Sequence, residues 1–235
     1  MRQIGIGVIG TGFMGKAHAF AYRAVSGIFP GTRPELQIVA DVNGAAAERA
    51  ATQLGFPRYT DNWQDLVADP AIGIVSITTP NIFHREMALA AIAAGKHIHC
   101  EKPLAPSTAE ARDMMEAAEA AGVVTQVGYN YIKNPLLGLA REMITSGELG
   151  EITGFRGIHA EDYMANPDEP YSWRVDPTGG QAPLLISAVT LSAWHVFSLV
   201  PLTRSLPISK PLLRADPLLP EPASDARSRS TILPA

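Results

Sequence analysis

The chain is 235 residues long and 46% hydrophobic, which allows a sizeable core in one large or two modest domains. Its formal net charge of -4 and pI near 5.9 supply no basic field, so nucleic acid and membranes are not expected as partners and small molecules are. A lone cysteine, Cys100, excludes an internal disulfide framework, and with no long apolar run and no basic-then-apolar leader in the sequence a cytoplasmic protein is expected.

At positions 4–19 the chain reads IGIGVIGTGFMGKAHA, a short apolar run opening into Gly10, Gly12 and Gly15. In a G-x-G-x-x-G turn after a strand, the first glycine permits the tight turn and the second lets the backbone approach a pyrophosphate. The third lets helix and strand pack closely. The phosphates then sit on free N–H groups at the start of the following helix, where the helix dipole favours negative charge. A dinucleotide is therefore the first ligand expected, held at Gly10, Gly12, Phe13, Met14 and Gly15.

Strand and helix patterns then alternate at the spacing of βαβ units, which predicts an α/β fold on a doubly wound parallel sheet. The strand-like ELQIVADV reaches Asp41, whose carboxylate can accept the ribose hydroxyls of an adenosine and so favours NAD, with NADP as the alternative. Asp41 lies farther from the glycines than the usual spacing, and the segment SGIFPGTRP is expected to be the loop that adds the excess. AAAERAATQLG predicts a helix closed by Gly55, and DNWQDLVAD a short helix capped by Asp61. IGIVSITTP is a buried strand ended by Pro80, and the chain resumes through Asn81 into the helical HREMALAAIAAG. His84, at the start of that helix, could cap it, meet a ligand or do neither. In the strand HIHCEKP, His97 and His99 face one way without a metal-ligating partner at suitable spacing, so they are expected to be structural and no metal is expected. Cys100 faces the other way as a small core residue. Ser107 and Glu110 form a capping box for AEARDMMEAAEAAG, and VVTQVGYNY closes the series.

Two segments narrow this further: ITTPNIFHREMALAAIAAGKHIHCEKPLA and QVGYNYIKNPLL. They resemble the glucose-fructose oxidoreductase and inositol dehydrogenase (Gfo/Idh/MocA) family from the N-terminus to about Gly180. The resemblance implies NAD(P)-dependent oxidoreduction of a sugar, polyol or inositol-like alcohol. It places Thr79, Pro80, Asn81, His84, Glu101 and Lys102 along the cofactor, with Lys102 of the E-K-P motif as the catalytic lysine. Such chemistry needs a group that accepts a proton near neutral pH, and a lysine desolvated at a strand end can do so. Tyr129 and Asn130, and Trp173 and Arg174 of YSWRVD, are implied at the substrate; Ile132 stands where the family often has arginine. The implied organisation is a Rossmann domain over 1–125 and the beginning of an α+β substrate and oligomerisation domain over 126–180. The family is usually homo-oligomeric, which this chain is not expected to remain.

Past Gly180 the pattern changes. All 20 glycines lie at or before that residue, and the remainder is rich in proline and leucine without helical or strand periodicity. The family expects G-G-G-A-L-x-D-x-G-x-H there, and this chain has GGQAPLLISAVTLSAWHVFSLVP. When the third base of each codon is joined to the first two of the next, Gln181 to Leu185 permits G-A-L-x. Leu185 to Thr190 then permits D-L-G-S-H or D-L-G-C-H. Residues 181–235 are therefore read as the product of a shifted frame that is not expected to pack. The alternative to an impaired enzyme is a non-catalytic nucleotide-binding remnant or sensor.

Overall fold

The computed structural model describes residues 2–154 together with Ile158, Asn166 and Asp168. Six parallel strands form one sheet: β1 (Arg2–Ile9), β2 (Thr32–Ala40), β3 (Arg58–Thr60), β4 (Ile74–Ile77), β5 (His97–Cys100) and β6 (Thr125–Val127), in the order β3-β2-β1-β4-β5-β6. Five helices serve as crossovers or lie between them: α1 (Phe13–Ile28), α2 (Gly44–Leu54), α3 (Trp63–Ala68), α4 (His84–Ala93) and α5 (Thr108–Ala121). A sixth, α6 (Pro135–Thr145), follows the sheet.

Side chains alternate along each strand, so β1 sends Ile6 and Val8 to one face and Ile9 to the other. The first face packs on Ala19 of α1 and on Ala50, Ala51 and Leu54 of α2. The second packs on Leu66 of α3, Ala88 and Ala91 of α4 and Met114 of α5. The order in which strands are added reverses between β1 and β4, which puts the two sets of right-handed crossovers on opposite faces and opens a crevice at the carboxyl ends of these two strands. The doubly wound α/β sheet expected from the alternating pattern is the fold observed.

Several local expectations hold for their stated reasons. Gly55 closes α2 with φ of 70°, and Ser107 and Glu110 form the capping box of α5. Others are corrected. Asn62, not Asp61, caps α3 by accepting from the Gln64 N–H. SGIFPGTRP is not a long loop, because α1 runs to Ile28 and β2 begins at Thr32. The wide spacing before Asp41 comes from a long helix and a nine-residue strand, which carries an irregularity opposite Ile6 and Gly7. The sequence reading did not separate β3, and α6 was not assigned. Among the described residues no helix is long and apolar enough to cross a membrane.

Candidate functional site

The crevice at the strand reversal is a cleft of about 720 Å³ lined by Gly10, Thr11, Gly12, Phe13, Met14, Asp41, Thr78, Thr79 and Pro80, among others. Its floor is built from strand ends tied to one another. Gly10 N–H donates to Ala40 O, and Thr78 N–H donates to Ile9 O. The Thr78 hydroxyl lies 2.9 Å from Ile9 O and 3.0 Å from Gly10 O.

The three glycines have separable roles. Gly10 has φ of 99°, a left-handed conformation that side chains disfavour. A β-carbon at Gly15 would press into the Gly10 carbonyl oxygen, so this glycine brings α1 against the turn. At Gly12 a β-carbon would meet nothing within 4 Å. That space lies at the N-cap of α1, where no side chain caps the helix and no acidic residue occupies the first turn. The cradle therefore fits a pyrophosphate: a helix start with free N–H groups, no internal anion and room for close approach.

Asp41 follows β2 on one side of this turn. One carboxylate oxygen accepts from the Thr11 N–H and hydroxyl, and the other accepts from the Asn43 N–H at 3.0 Å. The carboxylate is thus oriented on the cleft wall, half-buried. Asp61 and Glu86 also line the cleft, and among the described residues no lysine or arginine does.

Besides Gly15, which packs behind the turn, four of the expected cofactor residues stand apart from that lining. Asn81 is buried, and neither its amide nitrogen nor its amide oxygen has a hydrogen-bond partner among the described residues. His84 is 1% exposed, with Nε2 2.9 Å from Thr79 O and Nδ1 3.0 Å from Pro103 O. Burial holds its pKa below the usual histidine value, against the opposing pull of the carbonyl bonds. His84 thus bridges the Thr79 turn and the loop after β5. Glu101 is also buried, and one of its oxygens pairs with His18 Nε2 at 3.1 Å. Lys102 is half-buried on the loop after β5, and its N–H donates to the other Glu101 oxygen at 3.2 Å. Tyr129 is half-buried and Asn130 exposed beyond β6; burial raises the Tyr129 pKa. Trp173, Arg174 and residues 181–235 lie outside the described residues.

The sequence reading missed the buried polar group behind the loop of Lys102. His18 of α1 contacts Ser76 Oγ at 2.6 Å and stacks on His99 with ring centroids 4.3 Å apart. Burial, helped by the neighbouring His18, lowers the pKa of His99 to about 4, while burial raises that of Tyr22 to about 12. The neutral imidazole of His99 can therefore accept from the Tyr22 hydroxyl, 3.1 Å from its Nδ1. His97 Nδ1 accepts from the Val124 N–H at 3.1 Å. Two signals were available: Glu101 shares the alternation of His97 and His99, and His18 and Tyr22 are one helical turn apart. Cys100 faces the opposite side, buried as expected, its thiol pKa pushed up by desolvation. Among the described residues no group of three or more histidines, cysteines or carboxylates is placed to hold a metal ion.

Residues 4–129 match the family profile described as an oxidoreductase family with an NAD-binding Rossmann fold, Gfo/Idh/MocA. The chain belongs to this family. It is 42% identical over 176 residues to the levoglucosan dehydrogenase of Pseudarthrobacter phenanthrenivorans, covering 74% of this chain and 45% of that protein. It is 30% identical to the glucose-6-phosphate 3-dehydrogenase of Bacillus subtilis, covering 82% and 53%. Among solved structures, an NAD binding oxidoreductase from Klebsiella pneumoniae has a TM-score of 0.78 at 44% identity, covering 84% of this chain and 53% of that one. A levoglucosan dehydrogenase in complex with NADH and levoglucosan has a TM-score of 0.81 at 37% identity, covering 84% and 54%. The chain spans about half the length of the Gfo/Idh/MocA relatives it matches.

Proposed function

We propose that this chain carries the cofactor half of a nicotinamide-dependent oxidoreductase, one that transfers a hydride between NAD and a secondary alcohol of a sugar, polyol or inositol-like substrate. The observation that carries this reading is the order of residues along the carboxyl edge of the sheet. Asp41 follows β2, the glycine turn follows β1, Thr79 and Pro80 follow β4, Lys102 follows β5, and Tyr129 and Asn130 follow β6. With strands about 4.8 Å apart, Asp41 and Lys102 stand three spacings, roughly 14 Å, from each other along this edge. A dinucleotide laid across it puts adenosine at Asp41, pyrophosphate on the first turn of α1, and nicotinamide toward Lys102.

Bound NAD supplies the hydride acceptor. Lys102 takes the proton of the substrate hydroxyl at Nζ, and gives it back in the reductive direction. His84 holds the far side of the Lys102 loop against Thr79. Tyr129 and Asn130, with Trp173 and Arg174, are assigned to the substrate. The acidic lining, with Asp41 oriented by Thr11 and no cation among the described residues to meet a 2′-phosphate, supports NAD over NADP. Sugar-like substrates are supported by the relatives that act on levoglucosan and glucose 6-phosphate. A cytoplasmic location is part of the same proposal.

The domain organisation is proposed as a Rossmann domain over 1–125, the start of an α+β domain over 126–180, and a shifted-frame segment from Gln181 onward. The loss of glycine and the recoverable D-L-G-S-H motif support the last of these. Sequencing the gene across the Gly180 codon tests it: a frame that is intact in independent isolates refutes the shift.

The activity is tested by following absorbance of the reduced nicotinamide with levoglucosan, inositol and glucose 6-phosphate. Lys102→Ala should lower turnover by about two to four orders of magnitude with NADH affinity retained. Near-normal turnover in that variant refutes the role of Lys102. NADH binding with no turnover on any substrate supports the remnant reading instead.

A further inference from the structure

The buried Glu101 carboxylate is a junction of three elements. His18 reaches it from α1 at 3.1 Å, and the Lys102 N–H reaches it at 3.2 Å. Gly128, just after β6, is packed so closely that a β-carbon there would stand 2.9 Å from Glu101 Cδ, and nearer still to one of its oxygens. A carboxylate oxygen only accepts, so His18 Nε2 carries a proton toward Glu101, while Nδ1 bonds the Ser76 hydroxyl at 2.6 Å. Ser76 is fully buried in β4, and His99 of β5 stacks on the same imidazole. The His18 ring is thereby held in plane.

We propose that His18 is a positioning residue: through Glu101 it ties α1 to the backbone of Lys102 and to the Gly128 end of β6. This rests on the reading of Lys102 as the proton-transfer group. The first turn of α1 bears the dinucleotide cradle, Lys102 follows β5, and Gly128 leads directly into Tyr129 and Asn130. One buried histidine thus sets the cofactor-bearing helix, the lysine and the substrate strand in a single geometry. The burial of both partners makes the tie stiff: His18 and Glu101 are each only 6% exposed, so water does not compete for their bond. Removing the imidazole leaves a buried carboxylate with one donor fewer, and it must turn or recruit solvent. Either response releases the Lys102 N–H.

Amide hydrogen exchange on the full chain tests this without requiring turnover. In His18→Ala the Lys102 amide should exchange about tenfold or more faster, while the core amides of Ile6 and Val39 keep their rates. His18→Gln, whose amide can still donate to Glu101, should restore most of the protection. Should His18→Ala fail to fold, His18→Phe provides the second variant. Its ring keeps the stack on His99 but cannot donate to Glu101, so the same local exchange is expected. Unchanged Lys102 exchange overturns the proposal, and so does a uniform loss of protection across the sheet, which would mark His18 as a core residue only. Where NADH formation is measurable, His18→Ala should lower kcat about tenfold or more with the KM for NAD little changed; a change confined to KM overturns it. Failure of the function reading looks different: Lys102→Ala would retain turnover while the exchange pattern stood.

Discussion

Gly12 and Gly15 lie three residues apart in one motif, yet the structure gives them opposite responses to the same substitution. In Gly15→Ala the new methyl stands 3.1 Å from Thr78 Oγ1 and from the Gly10 carbonyl carbon, and closer to the Gly10 oxygen. The main obstacle is backbone, so it cannot be relieved by turning a side chain. Overpacking of this kind costs about 3 kcal/mol, the upper end of the usual range. Alanine's better helix propensity offsets about 1 kcal/mol of that. The net loss of about 2 kcal/mol lowers the melting temperature by about 4–8 °C for a domain of this size. In Gly12→Ala the methyl meets nothing within 4 Å and φ of -66° suits alanine, so only a poorer N-cap remains. Its melting temperature should stay within about 2 °C of the parent. The same methyl occupies the space the pyrophosphate needs, so NADH affinity should fall at least about tenfold, about 1.4 kcal/mol. Thermal melts without NADH, paired with calorimetric titration, separate the two effects. Parental NADH affinity in Gly12→Ala, or a parental melt in Gly15→Ala, would refute the division of roles.

Two further outcomes follow from the histidines. His99 has a folded pKa of about 4 against an ordinary 6.5, so as pH falls the unfolded chain takes up its proton first. Its contribution is complete above pH 6.5 and is lost toward pH 4, with a slope of up to about 1.4 kcal/mol per pH unit. Urea titrations between pH 6.5 and 5 should show that slope reduced in His99→Phe, which keeps a ring for the stack; an unchanged slope refutes the assignment. His84→Ala should cost about 3 kcal/mol, because it leaves a cavity and strips one of the two carbonyls facing the ring, that of Thr79 or of Pro103, of its donor. A urea-derived loss below about 1 kcal/mol would show that the bridge carries little.

Local sequence was enough for everything set by short-range stereochemistry and periodicity. The glycine turn, the Gly55 closure, the Ser107 capping box and the alternating strands each depend on a few consecutive residues, and the doubly wound sheet follows from their succession. The same holds for the placement of Asp41 and Lys102 at strand ends. Where two adjacent residues offered the same chemistry, as Asp61 and Asn62 do at the start of α3, sequence could not choose between them; backbone geometry selected Asn62. What the tertiary structure alone decided is the meaning of the buried polar residues. His18 and Glu101 are 83 positions apart, and His84 bonds carbonyls 19 and 20 positions away. Such pairings arise only when parallel strands separated by whole crossovers are brought side by side, and no local pattern encodes which side chain will then stand opposite. The physical reason is desolvation: once the sheet closes, a buried nitrogen or oxygen left without a partner costs free energy, so most of them are paired and the fold chooses the partner.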